Sequence, residues 1–294
     1  MSTSSNIKTW LITGSSSGFG LILARTILAR GHNVIATSRN PSRTPEYVKE
    51  IESTSRGKWL TLDVSADAPT IQATVHETHK LFGKIDVLVN NAGYSVLGMA
   101  EDIPEDQAKA QFEVNLWGAI RVTKAVLPIM RKQGSGTIAM FSSIAGMQVN
   151  PTNAIYSASK AGLEAWSDGM AQEIASFGIR VLVIEPGAFR TNFLGGNALR
   201  AVPTSEPYKG TVGDATLQRY QSMGGKQAGD PAKACERIVN NVERGLGKDQ
   251  LGKAENLRLP LGQDCYDRLL AKTEALSKNW ANTKEEALGL QVDE

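Results

Sequence analysis

The stretch Thr13-Gly14-Ser15-Ser16-Ser17-Gly18-Phe19-Gly20 follows an apolar, β-branched run at positions 7–13 and precedes a helical pattern. Glycine permits a tight turn with positive φ and allows the backbone to approach a bound pyrophosphate closely. The N-terminus of the following helix supplies free N–H groups and the positive end of the helix dipole. Strand, glycine-rich turn and helix in this order predict a dinucleotide-binding site. The glycine spacing differs from G-x-G-x-x-G and from the Walker loop, which argues against an ATPase.

The first two-thirds of the chain alternates short β-branched runs with longer helical patterns. Most of the runs are almost continuously apolar, such as Val87-Leu-Val89, as expected for strands covered on both faces of a parallel sheet. This order predicts an α/β fold with a doubly wound, Rossmann-like parallel sheet, right-handed crossovers and helices on both faces. The predicted strands are residues 7–13, 33–38, 58–62, 85–90, 136–142 and 179–185, and the predicted helices are residues 18–30, 45–53, 66–82, 104–132 (allowing for a break) and 154–177.

The last third of the chain differs in composition. Residues 187–230 are rich in Gly, Pro, Thr and Ser, which predicts a long, mobile loop of the kind that is often functional. The sequence then predicts a helix at 231–244, a short strand at 256–259, a polar amphipathic helix at 264–280 and a loose acidic tail. No linker divides the chain and no internal repeat is evident. We therefore expect a single domain over residues 1–294, with a substrate-binding loop at 187–230 and a C-terminal helical extension at 261–294.

Size, composition and charge exclude several classes of protein. The 294 residues are enough to bury a substantial core, and 41% hydrophobic and 21% charged residues are ordinary for a soluble globular protein. A net charge of +2 gives no reason to expect nucleic acid or an anionic membrane as a partner. No apolar run approaches the roughly 20 residues that span a bilayer. The polar residues 1–6 show no signal-peptide pattern, so we expect a cytoplasmic protein.

The cysteines and histidines favour neither a disulfide nor a metal site. Cys235 and Cys265 lie outside any C-x-x-C pattern and are expected to be reduced thiols. His76 and His79 form an H-x-x-H on a predicted helix but have no third ligand nearby, so we expect a partly solvated helix face. His32 lies in a predicted turn, where we expect no chemistry.

The segment Tyr156-Ser-Ala-Ser-Lys160 places a phenol and an ammonium group four residues apart. On an α-helix this spacing puts both side chains on one face, roughly 5–6 Å apart at Cβ. A neighbouring cation favours the phenolate, so we expect Lys160 to lower the Tyr156 pKa from its usual value of about 10. A tyrosine tuned in this way exchanges a proton with an alcohol or carbonyl oxygen near neutral pH. Such a pair arises easily by chance, so it indicates a catalytic site only in combination with the other motifs of the chain.

Together these motifs resemble the short-chain dehydrogenase/reductase family, in the branch marked by T-G-x-x-x-G-x-G and Y-x-x-x-K. Residues 13–20 match the first motif and residues 156–160 match the second. Further matches, in the family's order, are Asn90-Asn-Ala-Gly93, Asn115, Ser143 and Pro186-Gly187. The resemblance covers about residues 7–260.

The resemblance implies a role for each matched polar residue. Ser143 would hydrogen-bond the substrate oxygen and stabilise charge that develops there. Tyr156 would be the general acid for reduction or the general base for oxidation, and Lys160 would bias the phenol and bond the nicotinamide ribose hydroxyls. Asn115 would hold a water that links Lys160 to solvent. Read alone, Ser143 could equally be a capping serine and Lys160 a solvated lysine. The implied catalytic residues are Asn115, Ser143, Tyr156 and Lys160.

The resemblance also implies a set of residues that bind the dinucleotide. Asp63 resembles the residue that bonds the adenine amino group, although a turn or cap role is equally open to it. Asn91 and Gly93 would lie along the adenosine ribose and the helix start, and Thr191 would meet the carboxamide or a phosphate. Ile12, Phe19 and Phe189 would line the cleft or pack in the core. The full set is Gly14, Ser16, Ser17, Gly18, Phe19, Gly20, Ser38, Arg39, Asp63, Val64, Asn91, Ala92, Gly93, Tyr156, Lys160, Pro186, Gly187, Phe189 and Thr191.

The end of the second predicted strand indicates which nicotinamide cofactor is used. An NAD-preferring protein usually places Asp or Glu there to bond the ribose 2′-hydroxyl. Here the strand ends Ala36-Thr37-Ser38-Arg39-Asn40, with no carboxylate. A guanidinium pairs with a 2′-phosphate, often through two hydrogen bonds. We therefore expect NADP(H), bound by Arg39 with help from the Ser38 hydroxyl, although Arg39 could also be a surface charge.

The expected activity is NADPH-dependent reduction of a ketone or aldehyde, with hydride transfer from nicotinamide C4 and Tyr156 as proton donor. An alternative is the same machinery working oxidatively on a hydroxysteroid, retinol-like or sugar alcohol. A dehydratase or epimerase usually carries a Gly-x-x-Gly-x-x-Gly loop, which is absent here. A further alternative is a dinucleotide-sensing protein without turnover. The complete set of Ser143, Tyr156 and Lys160 weighs against it, because a sensor needs no proton donor.

The substrate and the oligomeric state are less constrained by the sequence. The predicted loop mixes the apolar residues Phe189, Phe193, Leu194 and Leu199 with the polar residues Tyr208 and Tyr220. This mixture suits a medium-sized, largely apolar carbonyl compound. By resemblance, helices 104–132 and 154–177 would pair copies into a homodimer or homotetramer.

Overall fold

Parallel strands build the centre of the fold. The computed structural model describes residues 7–193 and 198–292. The strands are β1 (Thr9–Ile12), β2 (Asn33–Ser38), β3 (Gly57–Thr61), β4 (Val87–Asn90), β5 (Ser95–Leu97), β6 (Gly136–Phe141), β7 (Ile179–Pro186), β8 (Leu199–Ala201) and β9 (Arg258–Leu261). Seven of them form one sheet in the order β3-β2-β1-β4-β6-β7-β9. Every neighbouring pair in this sheet is parallel.

Helices alternate with the strands along the chain. They are α1 (Gly18–Ala29), α2 (Pro45–Glu52), α3 (Ala68–Phe82), α4 (Glu105–Phe112), α5 (Ala119–Gln133), α6 (Ala154–Ile174), α7 (Val212–Ser222), α8 (Pro231–Arg244), α9 (Gln263–Asn282) and α10 (Lys284–Ala287). Their ends follow ordinary capping chemistry. Asp67 begins α3 by accepting a hydrogen bond from Thr70 N at 2.9 Å, and Gly83 ends it. Across the described residues, none of the helices has the length and hydropathy to cross a bilayer.

The core lies on both faces of the sheet because successive side chains of a strand point to opposite faces. In β1, Leu11 belongs to an apolar cluster with Val122 of α5 and Leu163 of α6. Trp10 and Ile12 belong to the cluster on the other face, with α1 and α8. Ile12 is therefore a core residue. This two-sided burial explains the continuous apolar runs, and the predicted fold class is confirmed.

The order of the strands reverses between β1 and β4, which are neighbours in the sheet. From β1 the chain continues outward to β2 and β3, and it then returns to β4 on the other side of β1. In open parallel sheets a crevice forms outside the carboxyl ends of the strands at such a point. The segments that follow β1 and β4 are joined there, because Thr13 Oγ1 accepts hydrogen bonds from Asn91 N and Ala92 N, both at 3.0 Å.

Two predicted segments differ in detail from the structure. The helix predicted over residues 104–132 is not interrupted, because a six-residue π-helix, Glu113–Gly118, joins α4 to α5. The predicted loop at 187–230 contains β8 and α7, and β8 pairs with β5, which the sequence analysis did not predict. Strands of three residues are too short to show a periodicity. Residues 194–197 of this loop, including Leu194, lie outside the described residues.

The predicted C-terminal helix is α9, and its first turn is firmly packed. Cys265 is fully buried, and its Sγ donates to Glu185 O at 3.0 Å. By contrast, Trp280 near the other end of α9 is 64% exposed. The beginning of α9 therefore joins the body of the protein at the end of β7.

Candidate active site

The turn between β1 and α1 forms a tight cradle at the N-terminus of α1. Gly14 has a φ of 69°, which favours glycine, and a Cβ there would lie 2.8 Å from Ala92 Cα. Asn91 Nδ2 donates to the carbonyl oxygens of Thr13 and Gly14, at 2.9 and 3.0 Å, and so braces the turn. The Ser17 side chain does not cap α1. The first-turn N–H groups therefore suit the oxygens of a diphosphate.

A cleft of about 1190 Å³ opens beside this cradle. Most residues assigned from the sequence line it, although they come from segments far apart in the chain. They are Gly14, Ser16, Ser17, Gly18, Phe19, Ser38, Arg39, Asp63, Val64, Asn91, Ala92, Gly93, Ser143, Tyr156, Lys160, Pro186, Gly187, Phe189 and Thr191.

Two assigned residues, Gly20 and Asn115, lie behind the wall of the cleft. A Cβ at Gly20 would overlap with the Gly14 carbonyl oxygen, so Gly20 allows close packing of α1 on the turn. Asn115 lies in the π-helix and is 1% exposed. Its Nδ2 donates to Tyr94 O at 2.9 Å and to Ser159 Oγ at 3.1 Å, and its Oδ1 accepts from Tyr94 N at 3.0 Å. Both amide hydrogens are therefore used, so the predicted water would have to bind a carbonyl oxygen of Asn115.

The residues Ser143, Tyr156 and Lys160 come together on the wall of the cleft. Ser143 follows β6 in an extended conformation, and its Oγ accepts from Ala145 N at 3.1 Å. Tyr156 and Lys160 share one face of α6, and Lys160 Nζ lies 6.0 Å from the centre of the Tyr156 ring. Lys160 Nζ also donates to Phe141 O at 2.6 Å. The end of β6 and the first turns of α6 thus present one hydroxyl, one phenol and one ammonium group to the cleft.

The pKa of Tyr156 is raised, which differs from the lowering expected from the sequence. The Tyr156 pKa is raised to about 12, mainly by burial and also by Tyr220, while the hydrogen bond with the Ser143 hydroxyl acts in the opposite direction. Burial therefore outweighs the lowering expected from Lys160, whose ammonium group also bonds the backbone carbonyl of Phe141. Burial also lowers the pKa of Lys160 to about 8, against the attraction of Glu164. At neutral pH the phenol is protonated, as a proton donor must be.

A buried carboxylate, Glu164, lies one helical turn beyond Lys160 and was not assigned from the sequence. It is 2% exposed, and its Oε1 accepts a hydrogen bond from Ser142 Oγ. A Cβ at Gly146 would overlap with the same carboxylate. Glu164 therefore joins α6 to the turn that carries Ser143. The sequence signal that could have found it is the spacing of four residues from Lys160.

The end of the cleft next to β2 carries guanidinium groups. Arg39 is exposed and lines the cleft, and so does Arg43, which the sequence analysis did not assign. Ser38 is buried, and its Oγ accepts from Trp59 Nε1 at 3.1 Å. Because that bond uses the Ser38 oxygen, only the Ser38 proton remains for an anion.

Asp63 and Thr191 contact neighbouring parts of the cleft wall. Asp63 Oδ1 accepts from Ser65 N at 2.9 Å and from Ser65 Oγ at 2.6 Å, which is the turn role that the sequence left open. Thr191 Cβ would lie 3.7 Å from a Cβ at Gly18, so Thr191 covers the glycine-rich turn. Both residues line the cleft while also shaping the backbone around it.

Phe19 and Phe189 combine the two roles that the sequence left open for them. Their ring centres lie 5.3 Å apart, and the Phe141 ring centre lies 5.4 Å from that of Phe19. Both Phe19 and Phe189 also line the cleft. The aromatic cluster is therefore itself part of the wall of the cleft.

Helix α9 brings residues to the cleft that the sequence analysis missed. Asp264 Oδ2 accepts from Ala188 N at 2.8 Å, and Arg268 Nε donates to Gln148 Oε1 at 2.8 Å. Asp264 and Arg268 both line the cleft. Their partners are 76 and 120 residues away in sequence, so no local pattern marks them.

The cysteines and His32 have structural surroundings. Cys235 and Cys265 are free and buried, and burial raises the pKa of both thiols. His32 Nδ1 accepts from Lys8 N at 3.2 Å, and its Nε2 lies 2.9 Å from Glu243 Oε1. These contacts hold the turn before β2.

Comparison with known proteins finds relatives over most of the chain. The sequence profile described as short chain dehydrogenase matches residues 8–199. Oxidoreductase BOA17 of Botryotinia fuckeliana (strain B05.10) is 40% identical over 270 residues, which are 92% of this chain and 94% of that protein. The 3-ketodihydrosphingosine reductase of Bacteroides thetaiotaomicron is 38% identical over 183 residues, 62% of this chain and 64% of that protein.

A solved structure agrees with these sequence relatives. The crystal structure of a short-chain dehydrogenase from Streptomyces avermitilis has a TM-score of 0.85 and 36% identity, and the match covers 99% of this chain and 100% of that one. Profile, relatives and structure therefore agree on the same family. The chain belongs to the short-chain dehydrogenase family of oxidoreductases.

Proposed function

We propose that the protein reduces the carbonyl group of a ketone or aldehyde with NADPH, and that Tyr156 donates the proton. One observation carries this proposal: Ser143, Tyr156 and Lys160 line the same cleft as the glycine-rich turn and Arg39. A proton donor and a dinucleotide-binding turn in one cleft suit a hydride-transfer enzyme.

The residues of the cleft fit a nicotinamide dinucleotide that carries a 2′-phosphate. The cradle at Gly14 and the uncapped start of α1 suit the diphosphate. Arg39 and Arg43 line the end where β2 finishes without a carboxylate, and guanidinium groups pair well with phosphate. When bound, the reduced nicotinamide supplies the hydride to the carbonyl carbon.

The protein's own residues orient the substrate and supply the proton. The Ser143 hydroxyl hydrogen-bonds the carbonyl oxygen and stabilises the negative charge that develops there. Tyr156 then transfers its phenolic proton to the same oxygen. The phenolate that remains is stabilised by the nearby ammonium group of Lys160.

Two further observations favour reduction of a largely apolar substrate. The raised pKa of Tyr156 keeps the phenol protonated, which suits a proton donor better than a base. Phe193 lies with its ring centre 6.2 Å from that of Tyr156, and Leu199 also lines the cleft. In addition, the Bacteroides relative is named as the reductase of a keto compound.

The test is NADPH oxidation by the purified protein across a panel of ketones, aldehydes and quinones. We expect Tyr156→Phe to keep NADPH affinity, measured by fluorescence titration, and to lose at least about 100-fold in kcat because the proton donor is gone. Tyr208→Phe is the matched control, since Tyr208 is not among the residues that line the cleft and its hydroxyl bonds Glu101 at 2.7 Å. Near-normal turnover by Tyr156→Phe would contradict the mechanism.

Other outcomes of the same panel separate the alternatives. Oxidation of alcohols with NADP⁺, without carbonyl reduction in the presence of NADPH, would favour an oxidative dehydrogenase. NADPH binding without turnover of any probe would favour a dinucleotide sensor.

A further inference from the structure

Besides Tyr156, the cleft contains a tyrosine whose hydroxyl oxygen already accepts two hydrogen bonds. Tyr220 lies on α7, is half-buried and lines the same cleft as Tyr156. Its hydroxyl oxygen accepts from Asn150 Nδ2 at 2.7 Å and from Asn153 Nδ2 at 3.0 Å. A phenolic hydroxyl can accept through its oxygen and donate one proton. With two amide donors on the oxygen, the proton of Tyr220 is left to donate to another group.

The orientation of Asn150 is set by the C-terminal helix. Arg268 Nη2 on α9 donates to Asn150 Oδ1 at 3.2 Å. The same arginine is held by Gln148, through Oε1 at 2.8 Å and the backbone carbonyl at 3.3 Å. Because its oxygen accepts from Arg268, Asn150 must present its amino group to Tyr220. The C-terminal extension thereby controls a donor in the cleft.

The two asparagines lie in a constrained turn directly before α6. Asn153 N donates to Asn150 O at 3.2 Å, and Thr152 between them has a φ of 72°. This left-handed conformation is unfavourable for a β-branched residue and persists only where the surroundings impose it. The turn leads directly into α6, which carries Tyr156. Because the same turn holds the hydroxyl of Tyr220 through Asn150 and Asn153, it fixes the two tyrosines relative to each other.

The surroundings of Tyr220 within the cleft are mixed. Tyr220 is close enough to Tyr156 to raise its pKa. Apolar lining comes from Met223, which directly follows α7, and from Phe193, which lies beside Tyr156. A substrate that reaches both tyrosines therefore meets a hydroxyl donor at each of them and apolar side chains in the same cleft.

We propose that Tyr220 donates a hydrogen bond to a second oxygen of the substrate, so that the protein prefers oxygenated ketones, such as keto esters, over plain ketones. The inference rests on the proposed function and names the substrate class of that site. A site built to bond a polar group discriminates against analogues that lack it, because its own polar group is then left unpaired.

The experiment compares substrates of similar size that differ in the second oxygen. The probes are methyl hexyl ketone, which has only the reacting carbonyl, and ethyl acetoacetate and ethyl levulinate, which place an ester at two distances from it. The full-length protein is assayed for kcat/KM with NADPH, as wild type, Tyr220→Phe and the control Tyr208→Phe. Each variant is compared with wild type on the same probe, so that differences in intrinsic reactivity cancel.

We expect Tyr220→Phe to lower kcat/KM about 10-fold or more for at least one keto ester, the effect of losing one specific hydrogen bond. Methyl hexyl ketone should change by less than about 3-fold, and Tyr208→Phe should change neither. The retained activity on the plain ketone shows that the variant is folded. NADPH affinity should be the same in all three proteins.

Distinct results would overturn this inference and the proposed function. Equal losses on all probes, or no loss on any, would overturn the role of Tyr220 while Tyr156→Phe still tests the reductase. An absence of carbonyl turnover in the wild type would overturn both.

Discussion

At the scale of single residues, the expected preference for NADPH over NADH depends on two exposed arginines. Arg39 and Arg43 line the cleft at the end of β2, where NAD-preferring proteins usually carry a carboxylate. Ser38 keeps its hydroxyl proton for an anion, because its oxygen only accepts the hydrogen bond from Trp59. The guanidinium groups are expected to carry most of the interaction with a 2′-phosphate, because their hydrogen bonds to it are charge-assisted.

Replacing Arg39 should affect the two cofactors differently. Loss of one charge-assisted contact costs about 1.5–3 kcal/mol, so Arg39→Ala should lower kcat/KM for NADPH about 10- to 100-fold. NADH lacks the 2′-phosphate and serves as the internal control, with an expected change below about 3-fold. Steady-state kinetics with both cofactors is the measurement. Equal losses with NADPH and NADH, or a wild type that prefers NADH, would show that Arg39 does not bind this phosphate.

At the scale of the elements, helix α6 places the residues of the proposed chemistry on one face. Tyr156, Lys160 and Glu164 follow each other at intervals of four residues and so share one face. Glu164 accepts a hydrogen bond from Ser142 next to Ser143, which ties the helix to the end of β6. From other elements, Arg258 and Glu185 also face this carboxylate, and Asp168 lies one turn further along α6.

The charge of Glu164 should affect the pH dependence of the reaction. The Lys160 pKa is about 8, so the ammonium group is lost as pH rises through that value and the rate of reduction should fall. A negative Glu164 favours the ammonium form. Glu164→Gln keeps an oxygen that can accept from Ser142 but removes the charge, so the alkaline fall in kcat/KM should begin at a lower pH.

A pH profile of carbonyl reduction measures this effect. Glu173→Gln is the matched control, since Glu173 is an exposed residue of the same helix. An unchanged profile in Glu164→Gln would mean that the carboxylate is neutral or does not support Lys160.

At the scale of the whole molecule, Arg258 connects strand β9 to a buried and a partly exposed carboxylate of other elements. Its Nε lies 3.1 Å from Glu185 Oε1 on β7, and its Nη2 lies 2.9 Å from Asp168 Oδ2 on α6. Glu185 is fully buried. Burial raises its pKa to about 7, nearby Glu164 raises it as well, and Arg258 opposes both.

Removing this arginine should destabilise the fold in a pH-dependent way. At about pH 8 Glu185 is mostly ionised, and Arg258→Met should lower the free energy of unfolding by about 3 kcal/mol because buried charge is left without a partner. At about pH 5 the folded protein holds Glu185 protonated, so the loss should be smaller. Urea unfolding at both pH values measures the difference.

A surface ion pair supplies the control. Arg25 and Glu50 lie 2.6 Å apart, but their side chains are 44% and 45% exposed, so Arg25→Met should cost at most about 1 kcal/mol. Equal losses for Arg258→Met at the two pH values would contradict a role for the ionisation of Glu185.

Local patterns were sufficient to predict most of the fold, and the family resemblance supplied most of the residues assigned to the cleft. The turn at Gly14 depends on backbone conformation within a few residues, and the pairing of Tyr156 with Lys160 depends on helical periodicity. The continuous apolar strands predicted a sheet covered on both faces. These features are encoded over short distances, so they can be recognised in the sequence alone.

Contacts between distant segments could not be predicted in this way. Tyr220 meets Asn150 from 70 residues away, and Arg268 meets Gln148 from 120 residues away. The pKa of Tyr156 was expected to fall because of Lys160, but burial by the assembled protein raises it. Desolvation depends on everything packed around a group, and no neighbour in sequence reveals it.

The sequence by itself thus determined the alternation of strands and helices along the chain, the dinucleotide turn and the reactive face of α6. Each of these follows from bonding within a few residues. Only the tertiary structure decided which charges are buried, how Glu164 and Arg258 compensate one another, and which side chains from α7 and α9 complete the cleft. Those properties arise when the sheet brings remote segments together and excludes water from between them.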